Sequence, residues 1–320
     1  MPGTVVVSGA SGFVGAALVQ KLGALRAVHA CFRSAPAVPP DGAEGMVVGD
    51  LDGSTDWRQA LRGADAVVHT AAHAHQLGAT SEADYRRVNA EGTVNLARQA
   101  AEAGVRRFVF VSSVKVNGES APPDRPYREA DEPAPEDAYG RSKLAAEQGL
   151  AEVARQGGLE IVVLRPPLVY GPGAKGNLAR LMGIVARGIP LPFGALRNRR
   201  SMVSLGNLCD AIIASLDFPA PTPRTYLLAD GEDLSTPDLV RRLARVMERR
   251  AILFPVPAAA LRLAGALVGR SGEVERLTGS LCVDAGLITR ETGWAPSNDR
   301  AAAELDAMAA AFVSSRMRMG

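Results

Sequence analysis

Short apolar runs alternate with longer amphipathic stretches over the first half of the chain. The runs are rich in β-branched residues, as expected for buried strands, and the stretches between them repeat apolar residues with helical spacing. The predicted strands are residues 5–7, 27–32, 46–48, 66–69, 108–111 and 161–164, and the predicted helices are 13–25, 57–62, 85–103 and 138–155. This order predicts an α/β fold with a Rossmann-type, doubly wound parallel sheet.

The alternation ends after Tyr170. A Gly-Pro-Gly turn follows at 171–173, and the rest of the chain is mostly helical in pattern. We therefore predict a sheet domain over residues 1–170, which also receives 203–230, and a smaller, discontinuous substrate-binding lobe over 171–320. The apolar stretch 256–268 contains Arg262 and is too short to span a bilayer. A packed helix is expected there, with an amphipathic surface helix as the alternative.

Composition limits the classes of partner. The 36 basic and 34 acidic residues give a net charge of +2, which provides no basis for nucleic-acid binding. Cys31, Cys209 and Cys282 are far apart and show neither zinc-ligand nor disulfide spacing, which favours a reducing compartment. The first residues lack the pattern of a signal peptide. We expect a cytoplasmic protein with a small substrate and no stable membrane insertion.

A glycine-rich turn follows the first predicted strand at once and opens a helix. Gly9 permits a tight turn, Gly12 allows close approach of a pyrophosphate, and Gly15 allows close helix packing, while the helix N-terminus favours negative charge. The turn therefore predicts a dinucleotide site, with contacts from Gly9, Ser11, Gly12, Phe13, Val14 and Gly15.

The end of the second predicted strand bears on which dinucleotide is bound. It carries Arg33 and Ser34 and no carboxylate, which favours NADP(H), with NAD(H) as the alternative. The alternative interpretation is that Arg33 does not contact a cofactor and is a solvated loop arginine. Asp50 and Leu51 follow the third strand and are placed to contact an adenine, although Asp50 also suits a turn cap.

Tyr139 and Lys143 lie four residues apart in a predicted helix, so their side chains share one face. A nearby ammonium favours the phenolate, and we expect Lys143 to lower the pKa of Tyr139 toward the neutral range. Ser113 lies just after the predicted strand 108–111, where strand ends present residues to a ligand. Its hydroxyl is placed there to hold the reacting oxygen. These three residues are the predicted catalytic set.

Together these motifs resemble the extended short-chain dehydrogenase/reductase superfamily, and within it the nucleotide-sugar epimerase/dehydratase family. The matching residues also include His69-Thr70-Ala71-Ala72, Val88-Asn89, Gly92-Thr93, Ser112-Ser113 and the run Leu164 to Pro172. The resemblance implies further cofactor contacts at Ala71, Ala72 and Pro166, besides Tyr139 and Lys143. It also implies a UDP-sugar substrate contacted by Ser112, Lys115, Asn177 and Arg200, and a homodimer formed through the helices around 85–103 and 138–155.

The family's reactions differ in the residues that follow Ser113. Dehydratases carry an Asp-Glu pair there, whereas this chain has Val114 and Lys115, so dehydration is not expected. Arg33, and Asn117 in place of a tyrosine usual in 4-epimerases, favour a reductase acting at sugar C4. The expected substrate is a UDP-4-keto-6-deoxy-hexosamine used for surface polysaccharide precursors. A UDP-sugar 4-epimerase with bound NAD is the first alternative, and a non-catalytic NAD(P)-binding sensor is the second.

In the expected reaction Tyr139 protonates the forming alkoxide, Lys143 positions the ribose, and Ser113 binds the oxygen. Lys115 is a candidate for polarising the sugar carbonyl, with a packing or solvated lysine as the alternative. His69, His73 and His75 are close in sequence, but no carboxylate ligand lies near them, and no metal site is expected.

Overall fold

The computed structural model describes residues 3–36, 38, 41–73, 80–219 and 222–317; His75 lies outside these residues. Within them, seven parallel strands form one sheet in the order β3-β2-β1-β4-β5-β6-β9. The strands are β1 (Thr4–Ser8), β2 (Val28–Phe32), β3 (Glu44–Val47), β4 (Ala64–His69), β5 (Arg107–Val111), β6 (Glu160–Arg165) and β9 (Arg224–Leu227), and β7 (Leu168–Tyr170) pairs with β8 (Met202–Ser204) in a second sheet. The predicted Rossmann-type α/β fold is confirmed.

Helices cover both faces of the large sheet and build the second lobe. They are α1 (Phe13–Gly23), α2 (Glu82–Tyr85), α3 (Gly92–Glu102), α4 (Ala138–Arg155), α5 (Asn177–Ala186), α6 (Leu205–Asp217), α7 (Thr236–Val246), α8 (Ala258–Leu267), α9 (Ser271–Thr278), α10 (Gly286–Thr292) and α11 (Asn298–Met317). A π-helical segment, Arg86–Glu91, joins α2 to α3, and a 3₁₀ turn, Val114–Val116, follows β5.

The alternating side chains of the strands explain the two-sided core. Val5 and Val7 join one buried cluster with Leu18 of α1, whereas Val6 joins the opposite cluster with Leu96 of α3. Because both faces are covered, the strands contain few polar residues, as the apolar runs indicate.

Three strands and one helix differ from the sequence-based expectation. The strands β7, β8 and β9 have three or four residues each, too few to give a periodic signal. Residues 57–62 form turns rather than the predicted helix. Leu61 donates to the Trp57 carbonyl, but Gly63 adopts a φ of +69° and directs the chain into β4.

The second lobe has its own apolar core, formed by residues of α5, α7 and α11. Leu181, Leu243 and Leu305 are buried together there. Helix α8 contributes little to this core: Leu263, Leu267 and the following Val268 are 64%, 79% and 69% exposed. The stretch 256–268 is therefore mostly helical, but it packs with one side only: Gly265 is buried, and Ala258 and Leu261 lie partly buried against this core. This arrangement combines the expected packed helix with its alternative, an amphipathic surface helix. Among the described residues no helix is long and apolar enough to cross a membrane.

Candidate active site

A cavity of about 1120 Å³ lies where the carboxyl ends of β5 and β6 face the second lobe. One wall is formed by residues that follow these strands and by the start of α4; the other is formed by α5, α7, α9 and the β8 region. Its polar lining includes Ser113, Lys115, Glu119, Tyr139, Asn177, Arg180, Arg200, Arg270 and Arg276. Ligand sites of open parallel sheets are expected at this edge.

The glycine-rich turn has the geometry of a pyrophosphate cradle. Gly9 has a φ of +73°, and a Cβ there would lie 2.7 Å from the Ala71 nitrogen. A Cβ on Gly15 would lie 2.1 Å from the Gly9 carbonyl oxygen. Gly12 is the N-cap residue of α1 and has no side chain to accept a hydrogen bond. The first amides of the helix, at Phe13 and Val14, are therefore left available to a phosphate. The described residues therefore fit a dinucleotide, and Ser11 is exposed beside them.

The predicted adenine end lies after β2 and β3, the strands next to this turn. Arg33 Nε lies 4.0 Å from Asp50 Oδ1, and both side chains are 78% exposed. Ser34 is also exposed, while Leu51 packs partly against the core. Arg33 therefore has a carboxylate beside it, so its charge alone does not mark a site for a 2′-phosphate.

The structure brings Ser113, Tyr139 and Lys143 together. Ser113 caps the 3₁₀ turn and hydrogen-bonds the Tyr139 phenol. Asp137 caps α4 by accepting from the Gly140 amide at 2.7 Å, which places Tyr139 in the first turn of the helix. One turn later, Lys143 Nζ donates to the Val111 carbonyl at 3.0 Å.

The expectation that Lys143 lowers the pKa of Tyr139 is wrong for the protein without a bound cofactor. Burial raises the pKa of the Tyr139 phenol above its ordinary value of 10, the Asp137 carboxylate adds to this, and the Ser113 hydrogen bond opposes it. Burial also lowers the pKa of Lys143 to about 7. The ammonium lies 5.9 Å from the centre of the Tyr139 ring and 4.5 Å from that of Phe110. Lys143 is thus only partly charged near neutral pH.

Ser112 does not line this cavity, although it was expected to contact substrate. Strand alternation buries its side chain, and its hydroxyl donates to the Glu147 carboxylate. Glu147 also accepts two hydrogen bonds from Arg165, whose Nη1 donates to Asn117 Oδ1 at 3.0 Å. A buried ionic network therefore supports the wall that carries Ser113. Asn117 belongs to this network, so its identity does not mark a reductase.

Lys115 lines the cavity but its ammonium is already bound. It donates to Glu119 at 2.8 Å and to Asp137. Pro166, which was expected to contact the cofactor, is buried, and its carbonyl accepts a hydrogen bond from the Val114 amide. Its neighbour Pro167 lines the cavity. The geometry thus favours the packing role for Lys115.

The opposite wall carries the candidate diphosphate contacts. Asn177 starts α5 and is exposed to the cavity, and Arg200 donates to the Gly279 carbonyl at 3.2 Å. Burial lowers the pKa of Arg200 below its ordinary value. Sequence reasoning missed Arg276 on α9, because no motif surrounds it. Its Nε is buried and has no hydrogen-bond partner among the described residues, and it lines the cavity with Arg200.

The histidines near the cofactor turn are explained by packing. Burial lowers the pKa of His69 to about 3. Thr93 Oγ1 donates to the Asn89 carbonyl, so it accepts from His69 Nε2, and His69 Nδ1 accepts from Ser8. The His73 amide donates to Asn89 Oδ1 at 2.8 Å. Over the part of the chain that the structure describes, no cluster of three metal-ligating residues occurs.

Comparisons of the sequence with known proteins show the family, and comparisons of the structure show the fold. The model of the NAD dependent epimerase/dehydratase family matches residues 5–229. The chain is 43% identical over 303 residues to the UDP-glucose 4-epimerase of Vibrio cholerae, covering 92% of each protein. The solved structure of MoeE5 in complex with UDP-glucuronic acid and NAD superposes with a TM-score of 0.79 at 25% identity, covering 98% of this chain and all of that one. RMD from Pseudomonas aeruginosa, complexed with NADPH, has the same fold, with a TM-score of 0.73 at 21% identity over 98% of this chain and 100% of that one.

Proposed function

The chain belongs to the NAD-dependent epimerase/dehydratase family, and we propose that it is a UDP-sugar 4-epimerase with a tightly held NAD. It is an enzyme that acts on nucleotide sugars and uses a nicotinamide cofactor. The observation that carries the proposal is one cavity with Ser113 and Tyr139 on one wall and Arg200 and Arg276 on the other. The similarity to a UDP-glucose 4-epimerase over 92% of the chain supports it.

The two walls suit the two ends of a nucleoside-diphosphate sugar. The guanidinium groups of Arg200 and Arg276 are matched to phosphate oxygens, and Asn177 adds a neutral donor. A substrate held at its diphosphate presents the sugar to the opposite wall. There the linked hydroxyls of Ser113 and Tyr139 are placed to bind one sugar oxygen.

A bound nicotinamide supplies a site that accepts and returns a hydride at a sugar carbon. Tyr139 must be ionised to take the proton of the 4-hydroxyl, so the positive charges of a protonated Lys143 and of the oxidised nicotinamide must offset the burial that raises its pKa. It later returns one proton to the same oxygen, while Ser113 holds that oxygen. Lys143 carries a positive charge beside Tyr139 when protonated, and it is placed to bind a ribose hydroxyl. Epimerisation also requires the keto sugar to expose its other face, and the large cavity gives it room while Arg200 and Arg276 hold the diphosphate.

This proposal replaces the favoured reductase with its first alternative. The two residues that favoured reduction are explained otherwise, since Asn117 binds Arg165 and Arg33 lies beside Asp50. Dehydration lacks its carboxylates: Val114 is buried, and the ammonium of Lys115 is bound by two acidic residues. The presence of Tyr139 and Lys143 argues against a non-catalytic sensor.

The test begins with purified protein that is denatured so that any nicotinamide released is identified by mass spectrometry. Intact enzyme is then incubated with UDP-glucose or UDP-N-acetylglucosamine, and the C4 epimer is measured. We expect bound NAD and interconversion without added cofactor. Stoichiometric consumption of NADPH with a UDP-4-keto-6-deoxy sugar, and no epimer, would instead establish the reductase.

Two variants connect the activity to the site. Tyr139→Phe removes the proton-transfer group and is expected to reduce kcat about a hundredfold or more. Tyr127→Phe is the matched control, since the Tyr127 hydroxyl donates to the Ser120 carbonyl in a loop. Equal activities of the two variants would contradict the assignment of Tyr139.

We also propose a homodimer formed by α3 and α4. Within one chain the two helices pack side by side, since a Cβ on Gly149 would lie 2.3 Å from Val94 Cγ2, and their outer faces, with Arg98 and Ala145 exposed, form one surface that a second copy can cover. Sedimentation of the purified protein at twice the mass of one chain is the expected result, and a monomer would contradict it.

A further inference from the structure

Helix α8 is an exposed apolar surface that the proposed reaction does not use. Its ten residues are Ala, Leu and Gly apart from Arg262. Leu263, Leu267 and Val268 are each more than 60% exposed. Contiguous apolar surface of this kind is uncommon on a protein that contacts only water, and it marks an interaction site.

The helix is held firmly by one side. Gly265 is the contact point with α9, where a Cβ would lie 2.6 Å from Val274 Cγ2. Arg262 forms an ion pair with Glu275 of α9, with Nε and Oε2 2.8 Å apart. The packed side of α8 thus carries its charge, and the apolar residues are left on the outside.

Charge around α8 points to an anionic partner. From Arg249 to Arg270 the chain has four arginines and no aspartate or glutamate. The nearest acidic residues are Glu248, which precedes the segment, and Glu273 and Glu275 on α9, of which Glu275 is paired with Arg262. Arg249, Arg250 and Arg270 are exposed and form no ion pair within the described residues. Ile252 and Phe254, each 45% exposed, lie in the sequence between Arg250 and α8.

We infer that α8 and its flanking arginines, the segment 249–270, dock the enzyme on the surface of an anionic lipid bilayer. Exposed leucines with arginines beside them are the pattern of a helix that lies in the interface plane. Ten residues span about 15 Å, half of a hydrocarbon core, so α8 lies on the bilayer rather than crossing it.

A bilayer fits better than a protein partner. Protein interfaces combine an apolar centre with hydrogen bonds at about one per 100–200 Å². The exposed face of α8 offers no hydrogen-bonding side chain, because Arg262 is already paired with Glu275. Docking also has a direct consequence for the site. Arg270 follows α8 and lines the substrate cavity, so the cavity rim is brought to the lipid surface.

The test uses the full-length protein and sedimentation with vesicles, either of phosphatidylcholine alone or with about a third phosphatidylglycerol. The wild type is expected to bind the mixed vesicles and to bind the neutral ones at least several-fold more weakly. The variant Leu263→Ser/Leu267→Ser/Val268→Ser is expected to lose binding about tenfold or more. The control Leu25→Ser/Val47→Ser, also of exposed apolar residues, retains it.

Turnover of UDP-glucose in vesicle-free solution shows whether each variant is folded, so vesicle binding and the proposed reaction are measured separately. Arg249→Gln/Arg250→Gln is expected to reduce binding to mixed vesicles several-fold and to remove most of the preference for anionic lipid. Failure of the wild type to sediment with mixed vesicles would overturn the inference. Equal vesicle binding by the triple-serine variant would also overturn it. If the only change in that variant is a smaller oligomer, the inference is overturned as well, and α8 is assigned to contact between copies of the chain.

Discussion

Substitution of Glu147 by glutamine tests the buried network behind the catalytic wall. The side chains of Arg165 and Glu147 are 6% and 9% exposed and form two hydrogen bonds, and Ser112 donates to the same carboxylate. Glutamine keeps the shape but removes the charge, which leaves the Arg165 guanidinium buried without compensation. Breaking one partner of a buried pair costs about 3–5 kcal/mol.

We therefore expect Glu147→Gln to lower the free energy of unfolding by about 3 kcal/mol or more. Urea denaturation followed by tryptophan fluorescence measures this quantity, since Trp57 and Trp294 are both buried and report on opposite parts of the fold. The substitution should also reduce kcat, because Ser112 precedes Ser113 and Glu147 raises the pKa of Lys143 against the effect of burial.

Glu152→Gln is the matched control on the same helix. Glu152 pairs with Arg155 at the surface, where side chains 48% and 70% exposed contribute about 0.5 kcal/mol or less. A second control, Glu147→Met/Arg165→Met, removes both charges and is expected to recover most of the stability lost by the single substitution. If Glu147→Gln is no less stable than Glu152→Gln, the reasoning about the buried pair is refuted.

Two further substitutions test the site. Burial lowers the pKa of Lys143 to about 7, so below that pH the folded state holds an unfavourable ammonium, and between about 7 and 10.5 its contribution becomes more favourable as pH rises. Lys143→Met should therefore stop turnover. It should also raise the free energy of unfolding of the cofactor-free protein, by about 2 kcal/mol near pH 6 and by less near pH 9, as measured by urea unfolding. A lower free energy of unfolding at both pH values would contradict this. Arg276→Leu should weaken UDP binding, measured by calorimetry, about ten- to hundredfold. The control Arg241→Leu removes an exposed ion pair with Asp238 and should leave the affinity unchanged. Equal affinities of the two variants would show that Arg276 does not bind the diphosphate.

The parts of the fold that could be predicted have local physical causes. The helix 138–155 has the bounds expected, because Asp137 caps its start and apolar residues repeat along it. Most of the predicted strands of the large sheet are buried on both faces, so their composition identifies them, whereas the edge strand β3 is largely exposed. In contrast, the pairing of β7 with β8 is a tertiary contact between short segments more than thirty residues apart, which no local pattern records.

The same distinction applies to the candidate site. The glycine turn and the Tyr139/Lys143 pair are local patterns, and the structure places them as a cradle and on one helix face. Arg276 was missed because only the folding of α9 against the cavity brings it near Arg200. The direction of the Tyr139 pKa was wrong because spacing identifies a charged neighbour but not the burial that outweighs it.

Val114 shows why this chain is not easily converted to a different chemistry. It occupies a place where dehydratases of the family carry an acid, yet here it packs with Leu227 and Leu281 in a small buried cluster. An aspartate introduced there would place a carboxylate against these two leucines, so the exchange alone is expected to destabilise the protein. A change of reaction class along this lineage would therefore require compensating substitutions around positions 227 and 281, accumulated before or together with the catalytic one.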